Sequence, residues 1–66
     1  SQKESMLEDE IVSKGYQDAV VTTSGSNVNV YVQAESLSNK QVNEIMNLVN
    51  GELGAVTVSV TREPVK

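Results

Sequence analysis

Side-chain catalysis requires a nucleophile beside a base, a converging pair of carboxylates, or a metal site. The 66-residue sequence contains no His and no Cys. That removes the commonest general base, the commonest metal ligand, and every thiolate or disulfide. Ser and Thr are plentiful, but their spacing is that of helix caps, turns and the wet positions of strands. Glu8, Asp9 and Glu10 are consecutive, so on a helix they fan around the axis and do not converge on one point. No Asp-x-Asp calcium pattern is present. Gly15, Gly25, Gly51 and Gly54 match no phosphate-cradling loop. The sequence therefore predicts no catalytic residue, no cofactor site and no metal site: the chain is expected not to be an enzyme.

One short motif has to be weighed for nucleic acid. Gly51-Glu-Leu-Gly54 matches Gly-x-x-Gly in letters, and the element order derived below is similar to the type II K-homology fold. Such a loop works between two helices on a basic face. Here it carries an acid, ends a helix that leads straight into a strand, and belongs to a chain of net charge −4. The first eighteen residues alone hold Glu4, Glu8, Asp9, Glu10 and Asp18 against Lys3 and Lys14. A phosphate backbone wants the opposite balance. No nucleic-acid partner is expected.

Length sets the next bound. The chain is expected to form a single domain over residues 1–66, and at this size only ~60% of the unfolded surface is buried on folding. Without Phe or Trp, the core must come from Val, Leu, Ile, Met and Ala. No apolar run approaches membrane-spanning length and no signal-peptide pattern is present. The sequence reads as an excised soluble domain whose anchor, if any, lies outside it.

The elements that position these side chains start from Asn27 to Ala34. Val28, Val30 and Val32 alternate there with Asn29, Tyr31 and Gln33, which gives a strand one dry and one wet face. A second strand is expected from Asp18 to Thr23, joined through a type II′ turn at Gly25-Ser26. That loop sets the register: Ser24 faces Asn27, Thr23 Val28, Thr22 Asn29, Val21 Val30, Val20 Tyr31 and Ala19 Val32. Ala19, Val21 and Thr23 then share the face of the three valines, and a one-residue slip would separate them.

Two helices must cover that face. The first is expected to run to Lys14, with Leu7 and Ile11 four apart, Met6 beside them, and a start set by either Ser1–Glu4 or Ser5–Glu8 capping-box spacing. Gly15 stops it, with Tyr16 packing back on Ile11. The second is capped by Ser38 and Gln41, with Leu37 and Val42 as the hydrophobic staple. Val42, Ile45, Met46, Val49 and Leu53 form its stripe, while Asn43, Glu44, Asn47 and Asn50 face water. Leu48 falls some 60° outside that stripe, so it is expected to touch the first helix or a partner. Gly54, rather than Gly51, should end this helix. A last strand is expected over 55–61, with Pro64 closing it.

The fold class that follows is α+β: a two-layer αββαβ sandwich with two helices on one face of a three-stranded sheet. The third strand returns parallel to the second, so Asn27–Ala34 lies in the centre. The outer sheet face is wet but uncharged, apart from one apolar pair, Val20 and Tyr31. Neither edge strand carries Lys or Pro inside it. Val20, Tyr31, Thr22 and Asn29, with Leu48, are the candidate interface residues, because an uncharged face around an aromatic anchor suits a docked partner.

The run Lys14-Gly15-Tyr16-Gln17-Asp18-Ala19-Val20-Val21, the alternating valines, and Leu37-Ser38 leading into Gln41-Val42-Asn43-Glu44-Ile45-Met46-Asn47-Leu48-Val49 resemble the C-terminal domain of stage III sporulation protein AH of endospore-forming bacteria. The likeness covers about residues 5–61. It implies a ring-building motif, similar to the inner-membrane ring proteins of type III secretion systems. It further implies a membrane anchor in the mother cell outside this chain, and a location between the mother-cell and forespore membranes. The implied partners are stage II sporulation protein Q and other stage III sporulation A proteins, with assembly into a homo-oligomeric ring or channel. A BON-like periplasmic domain, linked to lipid or membrane association, is the alternative; it would show more glycines in the hairpin.

Overall fold

The alternating valines form the middle strand of a three-stranded sheet. In the computed structural model, which describes residues 2–66, the order is α1 (Gln2–Val12), β1 (Asp18–Ser24), β2 (Asn27–Gln33), α2 (Asn39–Leu53) and β3 (Thr57–Glu63). The sheet order is β1-β2-β3. β1 pairs antiparallel with β2 in the register the turn dictates, Val21 opposite Val30 and Val20 opposite Tyr31. β3 pairs parallel with β2, Val30 beside Val60 and Tyr31 beside Thr61. Gly25 has φ +58° and Ser26 keeps negative φ, as a type II′ turn requires.

The core lies between this sheet and the helices. Leu7 and Ile11 come from α1, Ile45 and Val49 from α2, and Ala19, Val21, Val28, Val30 and Val32 from the sheet. Tyr16, Leu37, Leu48, Leu53, Val56, Val58 and Val60 pack around it half-buried. Tyr16 closes the end of α1 against the cluster that contains Ile11, and burial, aided by the nearby Glu44 charge, pushes its phenol pKa up. Leu48 also belongs to this packing layer.

α2 carries the caps its sequence signals. The Gln41 N–H donates to Ser38 Oγ at 3.1 Å, and the Ser38 N–H donates to Gln41 Oε1 at 2.8 Å. The helix passes through Gly51 and stops at Gly54, whose φ is +82°.

Four boundaries and placements differ from the sequence reading. α1 begins at Gln2 and ends at Val12. The Ser5 start is therefore not used, and the Ser1 start rests on a residue outside those described. After Val12 the chain tightens: Lys14 N–H donates to Ile11 O, and Gly15 N–H to Val12 O, each three residues back. Gly15, at φ +113°, then leaves the helix. Met6 is 50% exposed, because it lies one residue, about 100°, off the Leu7–Ile11 stripe. Asn50 does not face water alone. Its Nδ2 donates to Gly54 O at 2.9 Å and Val56 O at 3.1 Å. That clamp holds the chain off the sheet until Thr57, whose N–H donates to Ser26 O. β3 consequently runs from Thr57 to Glu63 instead of 55–61.

The two sheet edges are not alike, although neither strand carries Lys or Pro. On β1 the N–H groups that point away from β2 belong to Ala19, Val21 and Thr23; carboxylates take the first two, and a third carboxylate takes the Thr23 hydroxyl. Ala19 N–H donates to Asp18 Oδ1 at 2.9 Å, and Val21 N–H to Glu8 Oε2 at 2.8 Å. Glu4 accepts from the Thr23 hydroxyl at 2.8 Å. Thr23 shares the face of Val21 but is exposed, because its side chain turns to Glu4. Glu4 and Glu8, one helical turn apart, thus tie α1 to the edge that it covers.

Val30 is fully buried, so Val30→Asp places an unpaired charge under both helices; the variant is expected to lose its cooperative thermal transition by circular dichroism. Leu48→Ala should cost about 1–2 kcal/mol, at or below the low end for buried leucines because the site is half-buried. Melting should show this as a fall of roughly 4–16 °C for a chain of this size. The Thr23 hydrogen bond holds the Glu4 carboxyl below 4.5, so its stabilisation is present above that pH and lost as pH falls through the lowered folded value. Glu4→Gln is expected to flatten the dependence of Tm on pH below 4.5, with a slightly lower Tm than the parent at neutral pH and the same Tm once the parent carboxylate is protonated.

Candidate interaction surface

Strand periodicity turns every second residue of the sheet away from the helices. Registers on both sides of β2 arrange these residues in four rows across the strands. Ser24, Asn27 and Thr57 form the first, and Thr22, Asn29 and Ser59 the second. Val20, Tyr31 and Thr61 form the third, and Asp18, Gln33 and Glu63 the fourth. The first two rows are hydroxyls and amides. The third holds the apolar pair, Val20 at 46% and Tyr31 at 36% exposure. The fourth brings two carboxylates to one end of the face.

A shallow groove of about 370 Å³ runs over the last two rows, lined by Asp18, Val20, Tyr31, Gln33 and Glu63 with Pro64 and Lys66 of the C-terminal segment. Gln33 Nε2 donates to Pro64 O at 3.3 Å, which holds that segment beside the sheet. The groove offers an aromatic ring, an aliphatic side chain and carboxylates at its rim, a combination suited to holding a peptide surface. It brings together no nucleophile and base. Among the described residues, no group of three His, Cys, Asp or Glu side chains is placed to hold a metal ion. No described helix is long and apolar enough to cross a membrane.

Of the five residues singled out in the sequence, the structure gathers four. Val20 and Tyr31 face each other across β1 and β2, and Thr22 and Asn29 form the adjacent pair. Leu48 stands apart in the helical layer, packed against the core, and shares no surface with the other four. Gln33 was placed on the wet face by the alternation of β2 but not singled out; Asp18, Glu63 and the C-terminal Pro64 and Lys66 were missed. The signal for Glu63 was Pro64 itself, the first residue unable to continue the ladder; the alternation of Thr57, Ser59 and Thr61 extends to Glu63 in the same phase.

Comparison with known proteins supplies the context. A chain in a solved structure of the SpoIIQ-SpoIIIAH pore forming complex matches at 33% identity with a TM-score of 0.84, over 96% of this chain. The present chain spans 56% of that chain's length. No curated protein matches the sequence significantly. The family model described as SpoIIIAH-like protein matches residues 1–61. With that match over nearly its whole length, and the same αββαβ sandwich, the chain belongs to the SpoIIIAH-like family.

Proposed function

We propose that this chain is a non-enzymatic protein–protein interaction domain of a sporulation channel, and that its outer sheet face docks a SpoIIQ-like partner. The observation that carries the reading is the 33% identical match, covering 96% of this chain, to a component of the SpoIIQ-SpoIIIAH pore forming complex. The surface chemistry agrees with it. The outer face is polar and nearly uncharged over three rows, with its exposed apolar area concentrated at Val20 and Tyr31. Tyrosine is enriched among residues that dominate binding energy. In this reading the domain lies outside the cytoplasm, between the mother-cell and forespore membranes, with its anchor in a part of the protein beyond this chain. Assembly with further stage III sporulation A proteins into a ring would place many copies side by side.

The double substitution Val20→Lys with Tyr31→Lys tests the docking face. Both side chains are exposed, so the melting temperature should change little. Binding to the extracytoplasmic domain of the SpoIIQ protein from the same organism should weaken at least tenfold, the equivalent of ~1.4 kcal/mol. Isothermal titration that returns the parent affinity for the double variant would place the contact elsewhere.

A further inference from the structure

We propose that the free edge of β3 is a self-pairing edge, through which two copies of this chain join antiparallel about a two-fold axis at Val60 to form a six-stranded sheet. The hydrogen bonds of β3 decide which of its backbone groups are free. Thr57 N–H donates to Ser26 O, and Ala34 N–H to Glu63 O. In a parallel ladder this phase sends the groups of Thr57, Ser59, Thr61 and Glu63 toward β2. The N–H and C=O groups of Val58, Val60 and Arg62 therefore point away from the sheet. β3 is the last strand, and among the described residues no hydrogen bond outside the sheet reaches those groups. The C-terminal segment does not cover them, since Pro64 and Lys66 line a groove with Asp18, Val20 and Tyr31 on the opposite side of the sheet.

The open stretch is bounded at both ends. The next outward residue before it, Val56, is occupied: its N–H donates to Gly54 O at 2.9 Å, and its C=O accepts from Asn50. The next one after it, Pro64, has no N–H. Three outward residues two apart, centred on Val60, leave one antiparallel register that uses every free group. Val58 then faces the copy's Arg62, Val60 faces the copy's Val60, and Arg62 faces the copy's Val58. Moving the axis to Ser59 brings Arg62 against the occupied Val56, and moving it to Thr61 brings Val58 against Pro64. In the favoured register Thr57 opposes Glu63 and Ser59 opposes Thr61, so no like charges meet.

Charge and edge chemistry select the second copy. β3 carries one Arg and one Glu, a local sum of zero, whereas β1 and α1 hold Glu4, Glu8, Asp9, Glu10 and Asp18. Pairing through β3 puts those acids at the two far ends of the joined sheet. The β1 edge is guarded, because Asp18 and Glu8 already hold the Ala19 and Val21 donors and the Glu4 carboxylate lies on the Thr23 hydroxyl. Edge pairing consequently stops at two copies. A head-to-tail filament or ring built from β1 to β3 is barred, and any ring must use faces instead of edges. One seven-residue strand from each copy makes a contact below the ~1,200 Å² of a standard interface, the size class of weak, transient association, and we set the expected Kd at ~0.1–1 mM, the weak end of the affinity scale.

Sedimentation equilibrium of the chain from about 10 μM to about 2 mM spans that range and should show a monomer–dimer equilibrium. Amide exchange by NMR should slow at Val58, Val60 and Arg62 as concentration rises, with Val21 unchanged. A chemically synthesised chain carrying an N-methyl amide at Val60 keeps every side chain and every bond to β2, and should dimerise at least tenfold more weakly. Val60→Pro removes the same donor genetically and should behave alike. Val20→Lys with Tyr31→Lys should leave the dimer intact, which separates this edge from the docking face. A chain that stays monomeric throughout, or a dimer indifferent to the N-methyl group, overturns the proposal.

Discussion

Everything in this molecule depends on β2 being bonded along both edges and dry on one face. Val28, Val30 and Val32 are buried because β1 and β3 flank them and Leu7, Ile11, Ile45 and Val49 lie above. Without aromatic core residues or disulfides, β-branched and aliphatic packing must supply the stability, at ~1.5–3 kcal/mol per buried side chain of this kind. For so short a chain the total margin is small. This constraint explains why the punctuation around β2 is so complete. The Gly25-Ser26 turn holds one side in register, and the Asn50 clamp sets where the other side begins.

The same constraint divides the surface into parts with different chemistry. One sheet face is consumed by the core, which leaves the other, among the described residues, as a broad surface open to solvent. Of the two edges, one is closed by carboxylates from α1 and from Asp18, and one is left with bare backbone groups. Acidic side chains thus act in two ways at the β1 edge: they satisfy donors that would otherwise template another strand, and they make that side repel a second acidic chain.

Much of this was legible in the sequence, for identifiable reasons. Strict alternation of valine and the two-residue turn determined the β1–β2 register, since any slip would have turned valines to water. Ser38, Gln41 and Leu37 marked the start of α2, and Gly54 its end, through local side-chain-to-backbone geometry. The four gathered surface residues followed from that register alone. What was not legible came from contacts between elements. Glu4 and Glu8 read as solvated acids, and nothing local tells that they reach β1. Asn50 read as a polar helix position until the chain after Gly54 folded back to it. Leu48, off the stripe of its helix, was expected to touch the first helix or a partner, and it packs half-buried against the core; the stripe alone could not choose between the two.

In the proposed function, a SpoIIQ-like partner docks on the outer face of β1, β2 and β3. Titrating the isotope-labelled chain with the extracytoplasmic domain of that partner, and following each backbone amide by NMR, tests it most directly. Docking on this face predicts the largest shifts in the rows of Thr22, Asn29 and Ser59 and of Val20, Tyr31 and Thr61, with the exposed sides of α1 and α2 undisturbed. Shifts concentrated on those helices, with the two rows unmoved, would contradict it.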